Sequence, residues 1–220
     1  MRTAALVLVA LLPWPLKRPI YRWLFRWTIE PGARVGLCVI TAGHVHLGRQ
    51  SRIGHFNVVR NVPRLVLGHH AAIGQWNWIT CGEHFVGGRA AVPPPKEQGL
   101  FMAPYAALTS RHYVDCPGGV SIGDYAVVAG VRSSLITHEV DFDTSTMVCR
   151  PIRIGKYSYV GSNVKITPGS SVPDFCVVGM GAVVAGELTE EHTLYAGVPA
   201  KPIRTVEHGS FFRRENPRGL

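Results

Sequence analysis

The sequence predicts an all-β chain wound as a parallel β-helix, and three observations predict it. Aliphatic residues recur every six positions. Gly and Pro are abundant, at 24 and 16 of 220 residues, and where the six-residue register breaks it does so after the third member of a triplet. The register is cleanest at Ile154, Val160, Ile166, Val172, Val178 and Val184, with Gly155, Gly161 and Gly179 beside it. Upstream it runs Leu47, Ile53, Val59; Leu67, Ile73, Ile79; Met102, Leu108, Val114; and Ile122, Val128 with a weaker Ser134. Three such hexads make one triangular coil in which each aliphatic side chain points to the axis and stacks on its counterpart in the next coil. About six coils are expected. An α-helix, with 3.6 residues per turn, would scatter these positions around its cylinder, and the neighbouring Gly and Pro would destabilise it.

At the N-terminus, residues 4–12 are apolar, but this stretch ends at Pro13. At about 1.5 Å per helical residue it cannot cross roughly 30 Å of hydrocarbon. No small-residue cleavage signature accompanies it and the basic cluster follows rather than precedes it, so no cleaved signal is expected. Residues 17–27 read as an amphipathic helix with Pro19 near its first turn, Arg18, Arg22 and Arg26 on one stripe, and Ile20, Trp23, Leu24 and Trp27 on the other. Such a helix is expected to cap the open end of the coil, as repeat folds require. The compatible alternative is that it lies in a membrane interface through its Trp and Arg side chains.

Residues 1–30 are thus expected to form a helical segment, 31–204 the β-helix and 205–220 a basic tail. Two long insertions, from Cys81 to Phe101 and from Thr137 to Pro151, interrupt the coil after third members, so both should project from one edge of the prism. Loops on a rigid scaffold commonly carry function, which places the expected site along that edge.

The formal net charge of +9 invites a nucleic-acid reading, but the basic residues gather at the two ends with no aromatic-studded basic stripe between them, so no nucleic-acid partner is expected. Five cysteines, widely separated and without a CxxC pair, point to a reducing cytoplasm.

Spacing does not fix the hand of the coil. The stretch 120–204 resembles the hexapeptide-repeat acyltransferases of the maltose, galactoside and colanic-acid acetyltransferase type. The resemblance rests on Thr137-His138-Glu139 before a loop, Pro151-Ile152-Arg153-Ile154-Gly155 where the coil resumes, Val178-Gly179-Met180-Gly181-Ala182-Val183-Val184, and Ala196-Gly197-Val198-Pro199-Ala200-Lys201-Pro202-Ile203-Arg204. It implies a left-handed coil, a homotrimer with sites between neighbouring prisms, and transfer of acetyl from acetyl-CoA to a hydroxyl of a sugar, glycan or related small molecule. An amino-sugar or antibiotic acceptor stays open, as do a non-catalytic binding module and a metal-dependent hydratase.

Acyl transfer to an alcohol needs a base, and a histidine with an ordinary pKa near 6.5 is mostly neutral at pH 7. The resemblance implies His138 in that role. Ser110, His112, Asp115, Glu139 and Asp141 are acceptor-binding candidates. The three-residue spacing of His112 and Asp115 suggests a pair that either assists His138 or forms a structural turn, and the family's acceptor-contacting asparagine is replaced near this position. Cys116 raises a covalent alternative, with His112 as its base. For CoA, the resemblance points to the last coils, where Lys156, Lys165, Lys201 and Arg204 are phosphate candidates. Backbone amides around Gly161, Gly179 and Gly181 are candidates for the pantetheine or the oxyanion. Neither His44/His46 nor His69/His70 has metal-site spacing, and no catalytic metal is expected. A peripheral position at the inner face of the membrane is the expectation if the N-terminal helix contacts lipid.

Overall fold

A computed structural model of the chain describes residues 2–82, 96–206 and 209–215. Most strands of the coil are only two to four residues long and alternate an outward residue with a buried one, which is why a single aliphatic residue per hexad suffices. The buried residues stack into three ladders, and strands pair in parallel along each face of a left-handed β-helix. The first face carries Leu47, Leu67, Met102, Ile122, Ile154 and Val172. The second carries Ile53, Ile73, Leu108, Val128, Val160 and Val178, and Tyr195 continues it. Val59, Ile79, Val114, Leu135, Ile166 and Val184 make the third.

Two details differ from the sequence expectation. The inward residue after Val128 is Leu135, fully buried, while Ser134 faces outward. The corner before it holds one extra residue, with Gly130 and Arg132 both at positive φ, and this moves the register by one. An additional coil also precedes Leu47, with Ile29, Val35 and Ile40 buried as its rungs.

Each corner has its own chemistry. Between the first and second faces, His70, Tyr105, Tyr125, Tyr157, Phe175 and His192 stack as a nearly parallel column with centroids 4.6–5.5 Å apart. Between the second and third faces runs a buried polar ladder. The Asn77 and His112 backbone N–H groups donate to the Asn57 and Asn77 side-chain oxygens, and the Ser133 N–H donates to His112 Nδ1. The corner between the third and first faces carries both insertions. Residues 83–95 of the first, including Gly87-Gly88 and Pro93-Pro94-Pro95, lie outside the described residues. The chain re-enters the coil at Gly99, whose φ of +133° and 2.0 Å gap between an ideal Cβ and the Arg64 carbonyl oxygen leave no room for a side chain. The second insertion is an antiparallel hairpin of His138–Asp141 with Thr146–Cys149.

The N-terminus forms two helices, α1 (Arg2–Ala10) and α2 (Trp14–Trp23). They cover the open end of the first coil: Leu6, Tyr21, Phe25 and Trp27 join the core, and Tyr21 stacks on Trp27 at 4.1 Å. The apolar stripe turns inward only in part, through Ile20 and Trp27. Lys17 is buried, its Nζ donating to the Gly36 carbonyl at 2.6 Å and the Ala10 carbonyl at 3.3 Å, whereas Trp23 and Leu24 point outward. An ammonium beneath the cap thus ties a carbonyl of the coil end to the last carbonyl of α1.

Candidate functional site

The hairpin corner is built on the third face. Tyr113–Asp115 and Ser134–Ile136 pair in parallel, with Asp115 opposite Ile136, so the chain leaves the coil at Thr137 directly beside Asp115. Thr137 fixes this departure: its buried hydroxyl donates to the Asp115 carbonyl at 2.9 Å and accepts the Gly118 N–H at 2.8 Å. His138 follows, with its side chain about a third exposed, and its Nδ1 lies 2.6 Å from Oδ2 of the buried Asp115 carboxyl.

An ionised carboxylate only accepts, so this bond places the proton on Nδ1 and the lone pair on Nε2. Burial pushes the Asp115 carboxyl above its ordinary value, and the hydrogen bond and charge of His138 oppose that rise. The result is an imidazole held in one tautomer by a buried acid, the arrangement a general base requires.

The other sequence candidates fall in several places. Glu139 lies on the hairpin in an ion pair with Arg150. Asp141 accepts the N–H groups of Asp143 and Thr144 at the hairpin turn, and these bonds hold its pKa below the usual carboxylate value. Ser110 sits at the polar-ladder corner, its Oγ accepting the Gln75 N–H.

His112 is a correction. It does not pair with Asp115, whose carboxyl is taken by His138. It is a buried rung of the polar ladder, with Nδ1 accepting from Ser133 N–H and Nε2 2.9 Å from the Thr109 hydroxyl. Burial pushes its pKa down to about 4, so it stays neutral in the fold. In the unfolded chain it takes a proton near 6.5. Stability from this residue is therefore complete above 6.5 and is lost as pH falls, by about 1.4 kcal/mol per unit down to about 4. Urea unfolding at pH 7 and pH 5 is expected to show that loss, and His112→Gln to flatten it.

Cys116 is fully buried, and burial followed by the Asp115 charge raises its thiol well above the ordinary value. Cys81 and Cys149, also raised by burial and Asp115, reach about 12 and about 11. These surroundings oppose a thiolate nucleophile.

The CoA candidates divide among three places. Gly161, Gly179 and Gly181 lie at the polar-ladder corner of the last coils, and Lys165 projects outward from the third face next to them. Lys156 belongs instead to the aromatic corner, 3.4 Å from Asp174 and over the Phe175 ring. Lys201 and Arg204 stand on the last strand, which folds back antiparallel on Thr193–Ala196. Arg204 lines a hollow of about 430 Å³ with Tyr159, Val177, Phe211 and Phe212. The N–H groups of the three glycines themselves donate to the carbonyls of Val178, Tyr195 and Ser162. Among the described residues no group of three or more His, Cys, Asp or Glu side chains could hold a metal ion.

Sequence reasoning missed the pairing of Asp115 with His138 and the clamp made by Thr137. Placing the inward rung at Leu135 brings Asp115 opposite Ile136, two residues before His138, and was the available signal.

No protein-family model matches the chain. Over 91 residues, 40% of this chain and 44% of the relative, it is 34% identical to the galactoside O-acetyltransferase of Escherichia coli K12. The chain thus spans less than half the length of that relative. Among solved structures, a hexapeptide-repeat-containing acetyltransferase from Vibrio cholerae superposes with TM-score 0.54 at 18% identity, covering 94% of this chain and 90% of that one. The Bacillus cereus N-acyltransferase AntD, in complex with dTDP-4-amino-4,6-dideoxyglucose and coenzyme A, gives 0.54 at 13% identity, over 88% of this chain and 89% of its own. By sequence over that segment and by fold over nearly its whole length, the chain is similar to the hexapeptide-repeat acyltransferases, the family its motifs resemble.

Proposed function

We propose that the chain is an acyl-CoA-dependent acyltransferase that moves acetyl from acetyl-CoA to a hydroxyl of a sugar or glycan. The observation that carries this reading is the 2.6 Å contact of His138 Nδ1 with the buried Asp115 carboxyl at the insertion edge. Nε2 of His138 takes the proton of the acceptor hydroxyl as its oxygen attacks the thioester carbonyl carbon. The tetrahedral oxyanion collapses with cleavage of the C–S bond, and the CoA thiolate leaves and takes the proton back from the imidazolium. Acetyl transfer is supported by the name of the Escherichia coli relative, and a CoA donor by the complex of AntD.

The working form is a cytoplasmic homotrimer with peripheral contact to the inner face of a membrane. Trp78 and Tyr113, neighbours on the third face, are about half exposed, as are Phe56 and Trp76, stacked at 4.4 Å on the adjacent corner. Such an apolar surface suits a subunit interface. A partner seated there would stand beside the edge bearing His138, giving the deep cleft a lone prism lacks. Glu139, Asp141 and Arg150 on the hairpin are the acceptor candidates, and Lys165, Lys201 and Arg204 the CoA phosphate candidates. AntD favours a second reading, an amino sugar as acceptor.

The test is acetyl-CoA thiol release against sugars, amino sugars, nucleotide sugars and lipid-linked saccharides. Acceptor-dependent release with an acetylated product is expected. Absence of acceptor-dependent release across the panel would reject the reading, and one tightly held zinc per subunit would favour a hydratase instead.

A further inference from the structure

Helices α1 and α2 each turn one side to the coil and carry apolar side chains on the other. On α1, Leu6 and Ala10 face the coil, while Val7 and Leu8, and Leu11 just past the helix end, are exposed, Leu8 to 68%. On α2 the inward side holds Lys17 and Tyr21. Leu16, Pro19 and Trp23, spaced three, four and seven residues apart, share the outward side, with Leu24 beyond the last turn, and Trp23 is 85% exposed. A helix that only capped the coil would turn polar residues outward. Capping therefore accounts for one side of each helix and leaves the other unexplained.

The charges of the α2 segment that stand around this surface have one sign, those of Arg18, Arg22 and Arg26, and the sequence holds no acidic residue before Glu30. Arg22 and Arg26 are exposed, and Arg18 keeps a buried Nε without a hydrogen-bond partner. Next to them, Leu12, Pro13 and Trp14 overhang a groove of about 680 Å³ that Arg34 and Arg52 also line. These two exposed arginines are direct neighbours on adjacent strands, and neither makes an ion pair among the described residues. Like charges opposite one another in a sheet repel, and an anion between them removes the repulsion.

We propose that the outward sides of α1 and α2, with the Arg34/Arg52 groove, dock on the surface of an anionic phospholipid bilayer. Trp and Leu side chains enter the headgroup boundary, and the arginines meet lipid phosphates. The charge selects this occupant over a second copy, since two copies face to face would bring basic residues against basic residues. No described helix is long and apolar enough to cross a membrane, so the contact lies along the surface. This inference deepens the membrane contact named above and does not depend on acyl transfer, because binding is measured without acetyl-CoA or acceptor.

The experiment is sedimentation of the full chain with vesicles of phosphatidylcholine alone or with about a quarter phosphatidylglycerol. Binding is expected to the anionic vesicles, to weaken with added salt, and to be roughly tenfold weaker on neutral ones. The double variant Trp23→Ser, Leu24→Ser, which changes two exposed side chains, is expected to keep the wild-type melting temperature and lose roughly tenfold in vesicle binding. No binding to anionic vesicles, equal binding to both kinds, or an unaffected double variant would overturn the proposal. So would vesicle-free wild-type assemblies larger than a trimer that the double variant disperses, since these would assign the surface to a second copy.

Discussion

Replacing His138 with alanine is expected to lower acetyl transfer by roughly 100- to 10,000-fold, the range in which positioned acid–base groups act. The loss should fall on kcat, with little change in the KM for acetyl-CoA, because the role proposed for the imidazole is on the acceptor hydroxyl in the transition state and not on the CoA phosphates. Steady-state thiol release with the best acceptor of the panel measures both constants. A rate within a few-fold of wild type would remove His138 from the chemistry, and with it the acyl-transfer role of this edge. His138→Gln separates the base from mere bulk: glutamine can still hydrogen-bond Asp115 but offers no basic nitrogen, so it should be as inactive as alanine.

The hexad register was legible because the axis admits one aliphatic side chain per strand, and a step of six returns each to its ladder. Legibility failed where corners change length. The step from Val128 to Leu135 is seven residues, and that from Val35 to Ile40 is five, so one rung was assigned to Ser134 and the first coil went unseen. The face of α2 was misjudged for another reason. A helical wheel assumes that the whole apolar stripe seeks the protein, and here the Gly36 carbonyl at the coil end draws Lys17 inward while Trp23 and Leu24 turn away and only Ile20 and Trp27 of the stripe pack on the core. At the site, His138 was legible through its motif. Its partner was not, because His112 competed for Asp115 in sequence spacing and only the fold commits His112 to the polar ladder. The coil's own use of the N–H groups of Gly161, Gly179 and Gly181 was not legible either, because the same demand repeats at each corner and leaves no mark in composition.

Asp115→Asn is expected to reduce kcat on the order of 100-fold while leaving the protein at least as stable at neutral pH. The activity loss follows from orientation: an amide can present its N–H to Nδ1, which favours the tautomer with the proton on Nε2, where no proton can be taken. The stability gain follows from the direction of the carboxyl shift. Asp115 is raised above 3.8 in the fold, so its ionisation costs more there than in the unfolded chain. Stability falls as pH rises from the unfolded value through the folded one, and the full deficit is present above both. Asparagine removes that deficit, so the variant should melt at or above the wild-type temperature at pH 7, with any advantage vanishing below about pH 3.8. His138→Ala has the opposite sign. It strips the hydrogen bond and charge that hold the Asp115 carboxyl down, leaves a buried carboxylate without its partner, and should cost on the order of 1–3 kcal/mol at neutral pH. Adding Asp115→Asn to that variant should recover the stability and none of the activity. Melting curves of the four proteins at pH 7 measure this. If Asp115→Asn melts well below wild type, the carboxylate stabilises the fold and the reading of this corner as one that gives up stability to orient a base is wrong.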